Sequence, residues 1–270
     1  MVGAMRPLES LSSERLRRVE VVLSDIDDTI TTEGRLTACA YNSLERLQAA
    51  GVKVVPITGR PAGWCDHIAR MWPVDGVVGE NGAFYFVYDR ARRRMRQHFW
   101  VDPGEVRGNR ARLDALSARI LREVPGSALA SDQPYRIADL AIDFCEDVEP
   151  LPDEAIDRIV ALFREEGAQA KVSSIHVNGW FGAYDKLSMT RILLAEEFGL
   201  DAERDRNRIA YLGDSPNDEP MFAAFPLSIG VSNVQGFVHR LSTPPNFVTL
   251  GRSGEGFVEF ADWLIAARGA

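Results

Sequence analysis

Two short apolar, β-branched runs, Val21-Val22-Leu23 and Val52-Lys53-Val54-Val55-Pro56-Ile57, flank a stretch with helical spacing, and this constrains the fold more than any other feature. Between them, residues 36–50 carry apolar side chains at Ala40, Tyr41, Leu44 and Leu47, one face of a helix, with Gly51 as its C-cap. Strand, helix and strand in that order make a βαβ unit, and so a parallel sheet. The rhythm returns late in the chain: a helix over 186–198 capped by Gly199, then strands over 208–212, 227–231 and 247–250 alternating with helices near 234–241 and 257–267. The expected architecture is α/β, a doubly wound parallel-sheet core.

Each strand of this pattern runs into polar turn residues. The first ends in Ser24-Asp25-Ile26-Asp27-Asp28-Thr29, and period-two geometry puts Asp25 and Asp27 on one side while the chain is extended. Two like charges so close call for a cation between them or a proton on one of them. The second strand ends in Thr58-Gly59-Arg60-Pro61, at the start of a helix running to about residue 72, where phosphate is favoured. A later strand ends in Gly213-Asp214-Ser215-Pro216-Asn217-Asp218, and Lys186 opens a further helix. In an open parallel sheet, ligands bind outside the carboxyl ends of the strands. Carboxylates, a hydroxyl and an ammonium gathered there describe a site for a hard cation and a phosphate.

The rhythm breaks once. After Gly76-Val77-Val78-Gly79 and the hairpin signal Glu80-Asn81-Gly82 come residues 85–184, with helices near 110–124 and from Pro152 and strands near 140–145, 169–173 and 175–178. This is an inserted α+β cap of domain size, dividing the core into 19–84 and 185–270 and leaving 1–18 as a loosely ordered start. The arginines between Arg90 and Arg96 read as a solvated hairpin loop.

A net charge of −8 argues against a general binder of nucleic acid or anionic membranes, and no run approaches a membrane span. The three cysteines, Cys39, Cys65 and Cys145, show neither zinc spacing nor an even disulfide framework, as in a cytoplasmic protein. Oligomeric state is open at this level.

Taken together, Asp25-Ile26-Asp27-Asp28-Thr29, Thr58 in Thr-Gly-Arg, Lys186 and the Gly213–Asp218 segment resemble the four motifs of the haloacid dehalogenase superfamily of phosphohydrolases. The insert is similar in placement to the cap of the subfamily containing sucrose-phosphate, trehalose-phosphate and mannosyl-3-phosphoglycerate phosphatases, Cof-type hydrolases and phosphomannomutase. The resemblance implies Asp25 as nucleophile, Asp27 as general acid and base, and Thr58, Gly59, Arg60, Lys186 and Asn217 around the phosphate. It further implies Mg²⁺ held by Asp25, the Asp27 carbonyl, Asp214 and Asp218. Asp28 stands where many members have glycine, and aspartate tolerates the left-handed backbone that glycine there serves. The implied activity is a Mg²⁺-dependent phosphatase of a small phosphorylated metabolite, a sugar phosphate foremost. The alternatives are a phosphomannomutase-like phosphotransferase and a non-catalytic sugar-phosphate-binding module.

Substrate choice is expected in the cap. In Ser174-Ile175-His176-Val177-Asn178-Gly179-Trp180, alternation groups Ser174, His176, Asn178 and Trp180 on one face, polar groups beside an aromatic plate. Asn81, Arg60 and Trp64 are further candidates for substrate contact from the core side.

Overall fold

The computed structural model describes residues 5–269. The first part of the chain forms β1 (Arg6–Pro7), α1 (Ser13–Arg17), β2 (Val21–Ser24), α2 (Ala38–Ala49), β3 (Lys53–Pro56) and α3 (Ala62–Met71). Then come β4 (Val77–Gly79), β5 (Phe84–Asp89), β6 (Arg94–Phe99), α4 (Pro103–Glu123), β7 (Ala128–Leu129), β8 (Leu140–Asp143), α5 (Asp153–Glu165), β9 (Gln169–Val172) and β10 (His176–Trp180). The last part forms α6 (Lys186–Phe198), β11 (Ile209–Gly213), α7 (Glu219–Ala224), β12 (Leu227–Gly230), β13 (Phe247–Val248) and α8 (Ser253–Arg268). Among the described residues no helix is long and apolar enough to cross a membrane.

Six strands make one parallel sheet in the order β1-β13-β12-β11-β2-β3. Its central strands are buried on both faces, which is why they are continuous apolar runs rather than alternating ones. Val22, Val54, Ala210 and Leu212 belong to one hydrophobic cluster with α2 and α8, while Val21, Leu23, Val55 and Tyr211 belong to a second with α6 and α7. The doubly wound core therefore follows from the pleat of its strands.

The insert carries its own antiparallel sheet, β7-β8-β10-β9, backed by α4 and α5 around Leu116, Ile120, Ile159, Leu162 and Phe163. The hairpin β5–β6 extends instead from β4, and Phe84, Tyr85, Phe86 and Val87 pack into the two core clusters. The change of layer therefore falls beyond Phe99, not at residue 85. Arg90 in that hairpin caps the end of α3, donating to Arg70 O at 3.1 Å and Trp72 O at 3.0 Å.

The expected loose order of 1–18 does not hold for residues 5–18. Leu8, Leu11 and Leu16 are buried in the core and β1 pairs with β13, so apolar burial orders this segment. Residues 1–4 lie outside the described residues. The expected helix over 234–241 is a 3₁₀ segment, Ser232–Arg240.

Candidate active site

Asp25 begins where β2 ends, and its N–H donates to Leu212 O at 2.9 Å, so the strand register itself holds the turn. The turn closes through Thr29, Ile30 and Thr31 N–H groups on Ile26 O, with Asp28 in the left-handed region at φ 54°. At the end of β11, Gly213 permits a close approach: a Cβ there would lie 2.4 Å from Asp218 Oδ2. Asp218 then accepts Asp214 N–H at 2.9 Å and Ser215 N–H at 3.2 Å on that oxygen. Its other oxygen accepts Lys186 Nζ at 2.7 Å and the Tyr211 hydroxyl.

Lys186, delivered by the first turn of α6, reaches Asp25 Oδ1 at 2.6 Å as well, and all three groups are buried. One carboxylate oxygen from each of Asp25, Asp214 and Asp218 lies within 4.8 Å of the others. Burial pushes the carboxyls of Asp25 and Asp214 upward, and their mutual repulsion with Asp218 adds to it. Burial alone would lower Lys186, but Asp218 and Asp25 outweigh it and raise the ammonium's pKa. Three buried carboxylates against one ammonium leave excess negative charge, and the donors are all oxygen. The set fits a hard divalent cation such as Mg²⁺. Asp218 already accepts four donors, so Asp25 and Asp214 are the more open of the three.

Asp27 points elsewhere. Its oxygens accept Arg60 Nε, each at 3.0 Å, and Arg60 Nη2 lies 2.9 Å from Oδ1. Arg60 also donates to Asp132 at 3.3 Å and Glu146 at 2.6 Å, both from the insert. Arg60, expected around the phosphate, is shared here among three carboxylates.

Thr58 is buried, and its hydroxyl accepts Arg60 N–H at 3.0 Å, shaping the Thr58-Gly59-Arg60 loop. Gly59 brings the loop within 3.1 Å of Asn81 Nδ2, measured from where a Cβ would sit. Asn217 donates to Asn81 Oδ1 at 3.5 Å and accepts from Ser215 Oγ at 3.0 Å. Asn81 Nδ2 is buried with no partner among the described residues, an orphaned donor where a phosphate oxygen would complete it.

From the insert, His176 and Asn178 line a small void of about 10 Å³ together with Asp25, Asp27, Gly59, Arg60 and Asn217. Trp180 does not join them. It is 1% exposed, stacked on Tyr184 at 5.3 Å between ring centroids, and its Nε1 donates to Tyr184 O at 3.2 Å. The expected aromatic plate is a core residue because Tyr184 folds back over its face. Ser174 falls in a bend before β10, so strand alternation does not reach it, and Ser173 and Ile175 line the void instead.

Sequence reasoning missed the charged seam beside this site. Glu80 is wholly buried and accepts four backbone N–H groups: Ala62 at 3.0 Å, Ile137 at 2.8 Å, Ala138 at 2.6 Å and Asp139 at 3.1 Å. Arg136 bonds Asp132, Asp139 and Gly59 O, and Asn178 donates to Asp139 at 2.8 Å. Asn233 was missed too; it donates to Asp214 Oδ2 at 3.1 Å and to Asp28 O at 3.0 Å. The buried pair Glu80 and Asp139 carried no motif; the only available signal was charge inside apolar surroundings.

A family model described as haloacid dehalogenase-like hydrolase matches residues 22–98. A protein of Methanoculleus marisnigri named phosphoglycolate phosphatase is 28% identical over 247 residues, covering 89% of this chain and 94% of its own. Among solved structures, a Thermoplasma acidophilum protein superposes with a TM-score of 0.66 at 17% identity, over 92% of this chain and 99% of that one. The C-terminal domain of the C. albicans trehalose-6-phosphate phosphatase does so with 0.67 at 12% identity, over 97% and 99%.

Proposed function

We propose, for a chain that belongs to the haloacid dehalogenase-like hydrolases, a Mg²⁺-dependent phosphatase acting on a small phosphorylated metabolite, foremost a sugar phosphate. The observation that carries this reading is the buried group of Asp25, Asp214 and Asp218 around Lys186, with too few positive charges for its carboxylates.

Asp25 attacks phosphorus, the bond to the leaving oxygen breaks, and Asp27 gives that oxygen a proton. Water then attacks the aspartyl-phosphate, Asp27 takes back a proton, and inorganic phosphate leaves. Lys186, Thr58, Asn81 and Asn217 hold the phosphoryl oxygens, while Arg60 keeps the Asp27 carboxylate in place. Asp25, the Asp27 carbonyl and Asp214 hold the cation, with Asp218 as support, and bound Mg²⁺ supplies neutralising charge at the phosphoryl group. The insert that follows the β5–β6 hairpin, up to residue 184, acts as the specificity cap. The three cysteines are free, which suits the reducing cytoplasm.

A second reading, a short phosphorylated acid, is favoured by the name of the Methanoculleus marisnigri relative. Against it stand the carboxylates of Asp28, Glu33 and Glu146, which line a void of about 260 Å³ next to Asp27 and repel an acid leaving group. Phosphate release from trehalose 6-phosphate, sucrose phosphate and 2-phosphoglycolate, each with Mg²⁺ and with EDTA, tests the proposal. Release confined to the Mg²⁺ arm supports it. Isomer interconversion without release would instead assign a phosphotransferase.

A further inference from the structure

Trp64 is 42% exposed although it lies on α3, next to the loop that carries Thr58. The Arg60 guanidinium sits 4.4 Å from the indole centroid, which fixes the ring plane from one side. Trp64 and Trp72, with Ile26, Leu36 and Ile68, wall a cavity of about 400 Å³ between α3 and the turn after Asp28, with His67 as a polar edge. Gly34 and Gly63 also line it without side chains. Gly34 is held at φ +69° with nothing within 4 Å of where a Cβ would be. The volume is that of small-molecule sites, and the walls are apolar with few polar groups.

Asp27 lines this cavity and also the void that contains Asp25. A leaving oxygen protonated by Asp27 therefore stands at the cavity's mouth, and the rest of the leaving group has two ways to run. One is the carboxylate-lined void of Asp28, Glu33 and Glu146; the other is the tryptophan cavity. We propose that the tryptophan cavity is the leaving-group subsite and takes a six-membered ring with an apolar face, of monosaccharide size, stacked against Trp64. This rests on the phosphatase reading for its orientation and goes beyond it in placing the ring against the core, not the cap. An apolar ring face on an indole gains dispersion and loses little hydration, while glycolate has no ring to place there.

The test is calorimetric titration of the full-length Asp25→Asn protein with Mg²⁺, using phenyl phosphate, glucose 6-phosphate and inorganic phosphate, in backgrounds with Trp64, Trp64→Ala and Trp64→Phe. Thermal melting checks each variant for folding. The ratio of the Kd for phenyl phosphate to that for inorganic phosphate rises about tenfold with Trp64→Ala and stays within about threefold with Trp64→Phe. A parallel rise for glucose 6-phosphate identifies a sugar ring; a rise for phenyl phosphate alone identifies an aryl ring, and either supports the subsite. A ratio unmoved by Trp64→Ala, or no binding of either ring phosphate, overturns it. Turnover by the Asp25 protein is scored separately. Ring-dependent binding without hydrolysis would sink the phosphatase reading and leave the subsite standing, whereas hydrolysis with an unmoved ratio would do the reverse.

Discussion

The floor of the site and the seam beside it are both buried networks with more carboxylates than cations, yet their oxygens are satisfied in different ways. In the floor, the single ammonium, Lys186, bonds Asp25 and Asp218, while Asp214 beside them accepts only the neutral donors Thr29 and Asn233. In the seam, Glu80 is satisfied by four backbone N–H groups, and Arg60 and Arg136 are shared among Asp27, Asp132, Asp139 and Glu146. A network that closes on itself ties segments together. Both hold more carboxylates than cations, but the seam's oxygens are met by N–H donors of the chain, whereas Asp25 and Asp214 accept few donors and keep oxygens open to a cation that arrives from outside.

This contrast can be broken by substitution. Asp25→Asn should lower phosphate release by roughly 10³-fold or more while leaving the circular dichroism spectrum intact. Near-normal release would show that the floor is not the reactive part. Arg136→Met leaves Asp139 buried without its cation and Asp132 with Arg60 alone, and should cost about 3–5 kcal/mol in urea unfolding. A smaller stability loss than that of Asp25→Asn would reverse the assignment of roles.

Glu80→Gln sharpens the comparison, because an amide turns its NH₂ toward N–H groups that need an acceptor. The expected loss is about 1–3 kcal/mol, with faster hydrogen exchange at Ile137, Ala138 and Asp139. The smallest effect belongs to Glu146→Gln. Burial raises the Glu146 carboxyl, but hydrogen bonds from His176 and Arg60 outweigh it and hold it down at about 2. A depressed folded-state pKa contributes stability above the ordinary glutamate value, and that contribution fades as pH falls toward about 2. Because Glu146 is partly exposed, the difference between the two proteins in unfolding experiments should stay under about 1 kcal/mol near neutral pH and vanish toward pH ~2.

The carboxylates of the floor were legible because each follows a parallel strand within a few positions, and parallel strands deliver their ends to one edge; Lys186 was legible as the opening residue of the helix that resumes the core. Asp28 even takes the positive φ its side chain tolerates. The seam was not legible, since Glu80 and Asp139 meet across 59 residues with no spacing rule between them. Asn233 escaped for a related reason: it lies in a 3₁₀ segment, where helical periodicity carries no information. Trp180 was misplaced because alternation tells which side chains share a face but not what covers that face.

By itself the sequence determined the parallel doubly wound core, the interrupting insert and the order in which the polar turns leave the sheet. These are consequences of period, propensity and chain direction, all local. Only the tertiary structure decided which partner each charge finds. It turned Arg60 to Asp27 and the insert, buried Trp180 under Tyr184 and left Trp64 facing an open cavity. Those outcomes depend on competition among groups far apart in the chain, where distance and desolvation set the winner.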